Sequence, residues 1–346
     1  MASSQTSDTG LRRFLPDGFV LALVAAVGLA LVAPGIGASG GPIPLAPITE
    51  AGIALVFFLH GVNLSPQALR AGAQAWKLHI VVQLCTFGLF PLLGALVYVG
   101  TAGFIAPEMR LGFFYLCALS TTISSSVATV SMAQGNIPAA IFNVTLSSLA
   151  GMLITPALIA LLQTTGTAHQ LPLADTVIDI ATKLLLPFAV GQLLRRWLVG
   201  FVSKHKPVVT KLDRGVILLI VYAAFCNSTA QGIWSRYPVT TMIIVAALVI
   251  VMLLAVIAAT TLTGRALGFS REDEITAVFC GSQKSLANGA PIAKIIFGAN
   301  PALGAILLPL MLYHPLQLVA CSALARRYVR RGQAEAPVAA VVPANG

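Results

Sequence analysis

The chain has 346 residues, of which 57% are hydrophobic and 9% charged, with a formal net charge of +10 and a positive mean hydropathy. Soluble globular proteins carry about 25% charged residues, so this composition excludes an ordinary soluble domain and indicates an all-α polytopic membrane protein. The basic balance suggests nucleic acid only until its residues are placed: they lie in short segments beside apolar stretches, so the expected partner is the lipid bilayer, with no nucleic acid.

In chain order, residues 1–16 read as a polar cytoplasmic segment in which Arg12 and Arg13 precede an apolar run. Gly37-Ala38-Ser39 would suit signal cleavage, but many further spans follow with no soluble domain to export, so a retained first helix is expected. A window of about 20 residues gives ten transmembrane helices, at roughly 17–33, 46–63, 77–99, 109–134, 139–163, 173–195, 211–228, 238–263, 271–298 and 301–325. Counting from a cytoplasmic N-terminus, one side collects Arg12, Arg13, Arg70, Lys77, Arg195, Arg196 and the other basic residues through Arg330 and Arg331, whereas the other side holds only Arg110 and Arg236. That asymmetry predicts a multi-pass cell (inner) membrane protein with both termini cytoplasmic. Residues 329–346, rich in Ala, Pro and Val, read as a disordered cytoplasmic tail. The cysteines Cys85, Cys117, Cys226, Cys280 and Cys321 are odd in number and widely spaced within apolar segments, which argues against disulfides and metal sites.

The fourth span has a polar middle, Ser120 to Ser126, and ends at Gly135-Asn136-Ile137-Pro138 before the fifth opens with Ala139. The ninth repeats the design, with Cys280-Gly281-Ser282-Gln283-Lys284-Ser285 in its middle and Gly298-Ala299-Asn300-Pro301 before the tenth. A lysine near the bilayer centre costs at least about 2.5 kcal/mol, so it must face a partner, a substrate or water. Gly281 and Ser282 could interrupt the ninth helix, with Ser285 or Asn288 capping a second half. Five spans per half is odd, so the halves, 17–165 and 170–328, must be oppositely oriented: two inverted five-helix repeats with broken helices 4 and 9, the pattern that marks a transporter binding site.

Other polar residues have simpler readings. Asp179 and Lys183, spaced i and i+4, pair on one helix face. Lys294 snorkels towards headgroups, Glu50 is interfacial, and His60 and His314 are packed core histidines. Enzyme motifs such as His-Glu-x-x-His, Gly-x-Ser-x-Gly and the Walker loop are missing from the sequence, which disfavours an enzyme and a nucleotide-driven pump.

At Gly52 to Pro66, Ser120 to Asn136, Gly281 to Gly289 and Leu307 to Leu316, the chain resembles the bile acid:sodium symporter family, in its SBF-like bacterial branch. The resemblance implies a panel domain of spans 1, 2, 6 and 7 and a core domain of the other six, with spans 4 and 9 crossing at their breaks. It implies ion-binding residues at Ser125, Ser126, Thr129, Asn143, Thr145, Ser148, Gln83 and Gln283, with Thr86 an alternative to Gln83. Substrate-binding residues are expected at Ser124, Ser125, Ser126, Gly281, Ser282, Gln283, Lys284 and Asn288. Two positions depart from the family pattern: Phe279 or Cys280 stands where a glutamate is expected, and Lys284 where an asparagine is. Neither polar middle contains Asp or Glu. Two positive charges at 4 Å repel by about 4 kcal/mol at an effective dielectric of 20, so a charged Lys284 is a poor neighbour for sodium.

The function expected is secondary transport of a small-molecule organic anion, a bile-acid-like solute or other small carboxylate or sulfonate, by alternating access. Sodium as coupling ion is one alternative; a proton-coupled or facilitative carrier in which Lys284 replaces the sodium is another, and a membrane regulatory protein without a transport cycle is a third. No cofactor beyond the coupling sodium is expected, and a monomer is compatible with the sequence.

Overall fold

A computed structural model describes residues 18–67, 72–164, 178–298 and 300–335. The expectations for the N-terminal segment with Arg12 and Arg13, for Arg70, for Ala299 and for the tail after residue 335 fall outside this set. Every regular element among the described residues is helical: α1 (Gly18–Val32), α2 (Leu45–Asn63), α3 (Trp76–Gly100), α4 (Pro107–Ala118), α5 (Ile123–Met132), α6 (Ile137–Thr164), α7 (Ile178–Lys204), α8 (Lys206–Ala230), α9 (Val239–Ala266), α10 (Arg271–Ser282), α11 (Leu286–Phe297) and α12 (Leu303–Glu335).

Local chemistry explains where several of these start. Pro107 opens α4, at a position whose N–H has no helical partner anyway. Ser270 caps α10, its Oγ accepting from the Asp273 N–H at 3.2 Å, and Glu272, Asp273 and Glu274 favour the positive end of the helix dipole. Asn136 does the same for α6 through its Oδ1 and the Ala139 N–H, 3.1 Å apart.

By length and apolar composition, six of these helices can cross a membrane: α2, α3, α6, α7, α9 and α12. The pair α4 and α5, bent by 57°, makes a seventh if it is one span. The described part of the first expected span is short: α1 has 15 residues, about 22 Å of helix against a hydrocarbon core of about 30 Å. At its other extreme the chain exceeds expectation, since α12 passes unbroken through Pro309 and Pro315 to Glu335. Leu21, Val24, Leu193, Val251 and Leu262 remain exposed, as expected where the surrounding solvent is lipid.

Helix α4 is deeply buried, with Met109, Phe113 and Tyr115 through Ala118 shut off from the surface. It packs on α12, α3 and α6, while α10 lies against α9 and α3. Away from this group α2 and α7 form the closest helix pair, and α1 packs on α8. The α2–α7 contact needs glycine on both sides: a Cβ on Gly61 would strike the Phe188 carbonyl oxygen, and one on Gly191 that of Phe58.

Candidate functional site: the crossing of two broken helices

Both helices expected to break do so. The first gap falls at residues 119–122, between α4 and α5; the second at 283–285, between α10 and α11. The second lies slightly later than Gly281 and Ser282 suggested. Ser282 Oγ donates to the Val278 carbonyl at 2.6 Å, bonding within its own helix, so α10 continues through it. Ser285 then caps α11, its Oγ accepting from the Asn288 N–H at 3.1 Å.

A break inside a membrane protein leaves backbone groups that need partners, and here each break supplies the other. Thr121 Oγ1 donates to the Cys280 carbonyl at 2.7 Å, Ser126 Oγ to the Phe279 carbonyl at 3.4 Å, and the Ser285 N–H to the Ser120 carbonyl at 3.0 Å. Flanking helices complete the set. Tyr313 of α12 donates to the Ser282 carbonyl (2.6 Å), Thr155 of α6 to the Ala118 carbonyl (2.7 Å), and the Thr121 N–H donates to Ser147 Oγ (3.0 Å). The side-chain amide of Gln317 in α12 holds both backbone groups of Lys284, accepting from its N–H at 2.7 Å and donating to its carbonyl at 2.8 Å.

Lys284 closes the remainder. Its side chain is fully buried, and its Nζ donates to the carbonyls of Leu119 (2.6 Å), Cys117 (2.9 Å) and Thr86 (3.0 Å). An ammonium has three donors, and three acceptors meet it. Phe90 adds its ring face at 4.0 Å from Nζ. Cys117 and Leu119 lie at the C-terminal end of α4, where the helix dipole is negative. Thr86 is free for a different reason. Within α3 the segment Cys85–Leu89 is a wide π-helical turn, in which the Phe90 N–H bonds Cys85 rather than Thr86. The next residue that could reach Thr86 is Pro91, which has no N–H. Thus a helix end and a proline-made defect in a second helix together create a carbonyl cage, and the lysine fills it.

The expected ion-binding residues separate into groups. Ser125 Oγ donates to Gln283 Oε1 (2.7 Å) and Gln283 Nε2 to Thr129 Oγ1 (2.9 Å), which links α5 to the second break. Ser148 accepts from Asn288 Nδ2 at 3.0 Å, and Ser120 Oγ from the same amide at 3.1 Å. Gln83 and Asn143 form a distinct contact, Gln83 Nε2 donating to the Asn143 carbonyl at 3.2 Å, and Gln83 Oε1 is buried without a partner. Thr145 is half-buried. Among the expected substrate residues, Gly281, Ser282, Gln283, Lys284 and Asn288 are all sealed, whereas Ser124 is exposed and Ser125 partly so.

Sequence reasoning missed Gln317, Tyr313, Thr155 and the carbonyls of Cys117 and Leu119. The clue for Thr86 was Pro91, one turn beyond it, which removes a donor. Asp179 and Lys183 pair as expected, at 3.0 Å. His314 is packed, its Nδ1 3.1 Å from Gln317 Nε2. His60 lies 3.7 Å from Asp213, with its Nδ1 buried and unbonded, so it is not the satisfied core residue expected.

Similarity to known proteins covers nearly the whole chain. An uncharacterized protein of Pseudomonas aeruginosa is 45% identical over 337 residues, which is 96% of this chain and 99% of that protein. The Escherichia coli protein named "Putative symporter YfeH" is 41% identical over 317 residues, covering 91% of this chain and 93% of its own length. The rat sodium/bile acid cotransporter 7 is 27% identical over a stretch of the same coverage. Residues 17–330 match the SBF-like CPA transporter family, and the chain, a multi-pass helical membrane protein, belongs to it.

Proposed function

We propose that this protein is a secondary carrier of an organic anion, working by alternating access with Lys284 in place of a bound sodium ion. The observation that supports this most directly is the buried Lys284 ammonium on three carbonyls drawn from two helices. A cage of carbonyl oxygens at a half-helix C-terminus is chemistry suited to a cation, and the chain supplies that cation covalently. Next to it stands the N-terminal end of α5, with Ser124 exposed and the helix dipole positive, a favourable place for the acid group of a solute.

In this reading the ten expected spans cross the inner membrane as two inverted repeats, 17–165 and 170–328, with both termini cytoplasmic. Spans 1, 2, 6 and 7 form a panel against which the core, holding both breaks, moves. The tight glycine contact of α2 and α7 and the cross-bonding of the breaks are what two internally rigid bodies require. The relatives named as symporter and cotransporter agree with such a role.

A thermal-unfolding screen of the purified full chain against small organic acids, in sodium and in choline salts and at two pH values, tests it. An acid that stabilises equally in both salts is the expected result. Stabilisation by every acid only in sodium would overturn the replacement of sodium by Lys284, and a pH-dependent response shared by wild type but lost in Lys284→Arg would move the coupling to protons, since arginine does not release its proton in this range.

A further inference from the structure

Four charged side chains to which sequence position gave three unrelated explanations line one cavity. It measures about 290 Å³ and is bounded by Glu50 and Ile53 of α2, Asp179 and Lys183 of α7, and Lys294, Ile295 and Gly298 at the end of α11. It therefore lies between the α2–α7 pair and one of the two broken helices, at the end of the bundle away from Arg195 and Arg196.

The charges within it are not equivalent. Asp179 and Lys183 hold each other at 3.0 Å on one helix face, so that pair is internally neutral. Glu50 and Lys294 have no hydrogen-bond or ion-pair partner among the described residues. One free carboxylate and one free ammonium thus face a single small space, on opposite sides of the gap between helices. A simple anion placed there gains from Lys294 and loses to Glu50, and a cation does the reverse. A dianion meets Asp179 and Glu50 with only one unpaired cation to offset them. The charge pattern is matched by a ligand carrying one group of each sign, with Ile53 and Ile295 as apolar wall for the carbon chain joining them. At about 290 Å³ the cavity falls just below the range of about 300–1,000 Å³ common for ligand pockets, which suits a compact metabolite rather than a fused-ring solute.

Resting on the carrier reading above, but narrowing its solute from a simple organic anion to an organic acid whose charge is balanced by its own ammonium, we propose that this cavity recognises a small zwitterion, a carboxylate or sulfonate that also bears an ammonium group, with its acid at Lys294 and its ammonium at Glu50. The Asp179–Lys183 pair keeps a second cation out of reach and so discriminates against dianions.

A four-carbon series tests this with the full-length protein in detergent: 2-aminobutanoate and 4-aminobutanoate as zwitterions of two charge spacings, butanoate as anion, butylamine as cation and succinate as dianion. At least one zwitterion is expected to raise the unfolding midpoint saturably, with the other three weaker by on the order of fivefold in apparent affinity, the size of one exposed ion pair. Glu50→Gln should invert the order, weakening the zwitterion and strengthening butanoate. Lys294→Gln should weaken both, and Asp179→Asn should bring succinate up. Butanoate or succinate binding as well as either zwitterion to the wild type, an unchanged order in Glu50→Gln, or no binding by any member would each overturn the proposal. All three variants are amide replacements at partly or fully exposed positions, and a ligand-free midpoint equal to wild type shows that they fold. Uptake of labelled 4-aminobutanoate into proteoliposomes separates the two readings. Binding with no uptake of any solute defeats the carrier and leaves the cavity assignment intact, whereas uptake of another acid with no binding in this series defeats the cavity assignment alone.

Discussion

Removing Lys284 leaves three buried carbonyls without donors. Each such group costs about 1–3 kcal/mol, so Lys284→Ala is expected to lower stability by about 3 kcal/mol or more, measured by unfolding in detergent. Sodium should then recover part of that loss where choline does not, because the vacated oxygens of Thr86, Cys117 and Leu119 suit a hard cation. Saturable sodium stabilisation of the wild type that persists in Lys284→Ala would place the ion elsewhere and make Lys284 purely structural. Gln317 offers an independent check on the same break. Its amide takes the place of a neighbouring peptide unit for both backbone groups of Lys284. Gln317→Leu keeps the bulk and loses both bonds, so a loss of about 2 kcal/mol is expected. None of this was legible from residue types: Gln317 is one polar residue in a long helix, and a carbonyl carries no signature in sequence at all.

At the scale of elements, the two breaks differ in what they show to the outside. The N-terminal end of α5 presents Ser124 openly, whereas Gly281 through Ser285 and Asn288 are shut in by α12, α6 and α4. In protein lacking its native cysteines, a water-borne thiol reagent should label Ser124→Cys and spare Ser282→Cys. Equal labelling of both in the absence of solute would mean that the second break is open at rest. The wide turn in α3 makes a further prediction. Pro91→Ala restores an N–H that can reach the Thr86 carbonyl, so it competes with Lys284 for that acceptor; a weakened lysine tie should appear as partial sodium sensitivity in thermal unfolding. Helix existence was readable because apolar windows of spanning length are hard to mistake, and the breaks were readable because Gly, Ser and Thr cluster there. The exact stop of α10 was not, since Ser282 satisfies its hydroxyl on Val278 and stays helical. The charged cavity was invisible for a different reason: Glu50, Asp179, Lys183 and Lys294 come from three helices, and only their packing brings them together.

For the whole molecule, the distribution of basic residues makes orientation testable. A reporter fused after Arg331 and one inserted between Arg195 and Arg214 should both report the cytoplasm, and an outside signal from either would refute the ten-span arrangement. The cage around Lys284 has one more consequence, an electrical one. Where a diffusible ion neutralises a carrier, charge arrives and leaves with it; an ammonium bonded into the backbone of the broken helices travels with whatever part of the protein moves. In the proposed carrier a bound monovalent anion would offset that charge, whereas an empty core, or one holding a net-neutral zwitterion, would keep it. A unit charge moving through the whole field is worth about 2.3 kcal/mol per 100 mV, so in that carrier a resting membrane voltage would act on whichever steps move the Lys284 charge uncompensated, speeding them in one direction and slowing them in the other.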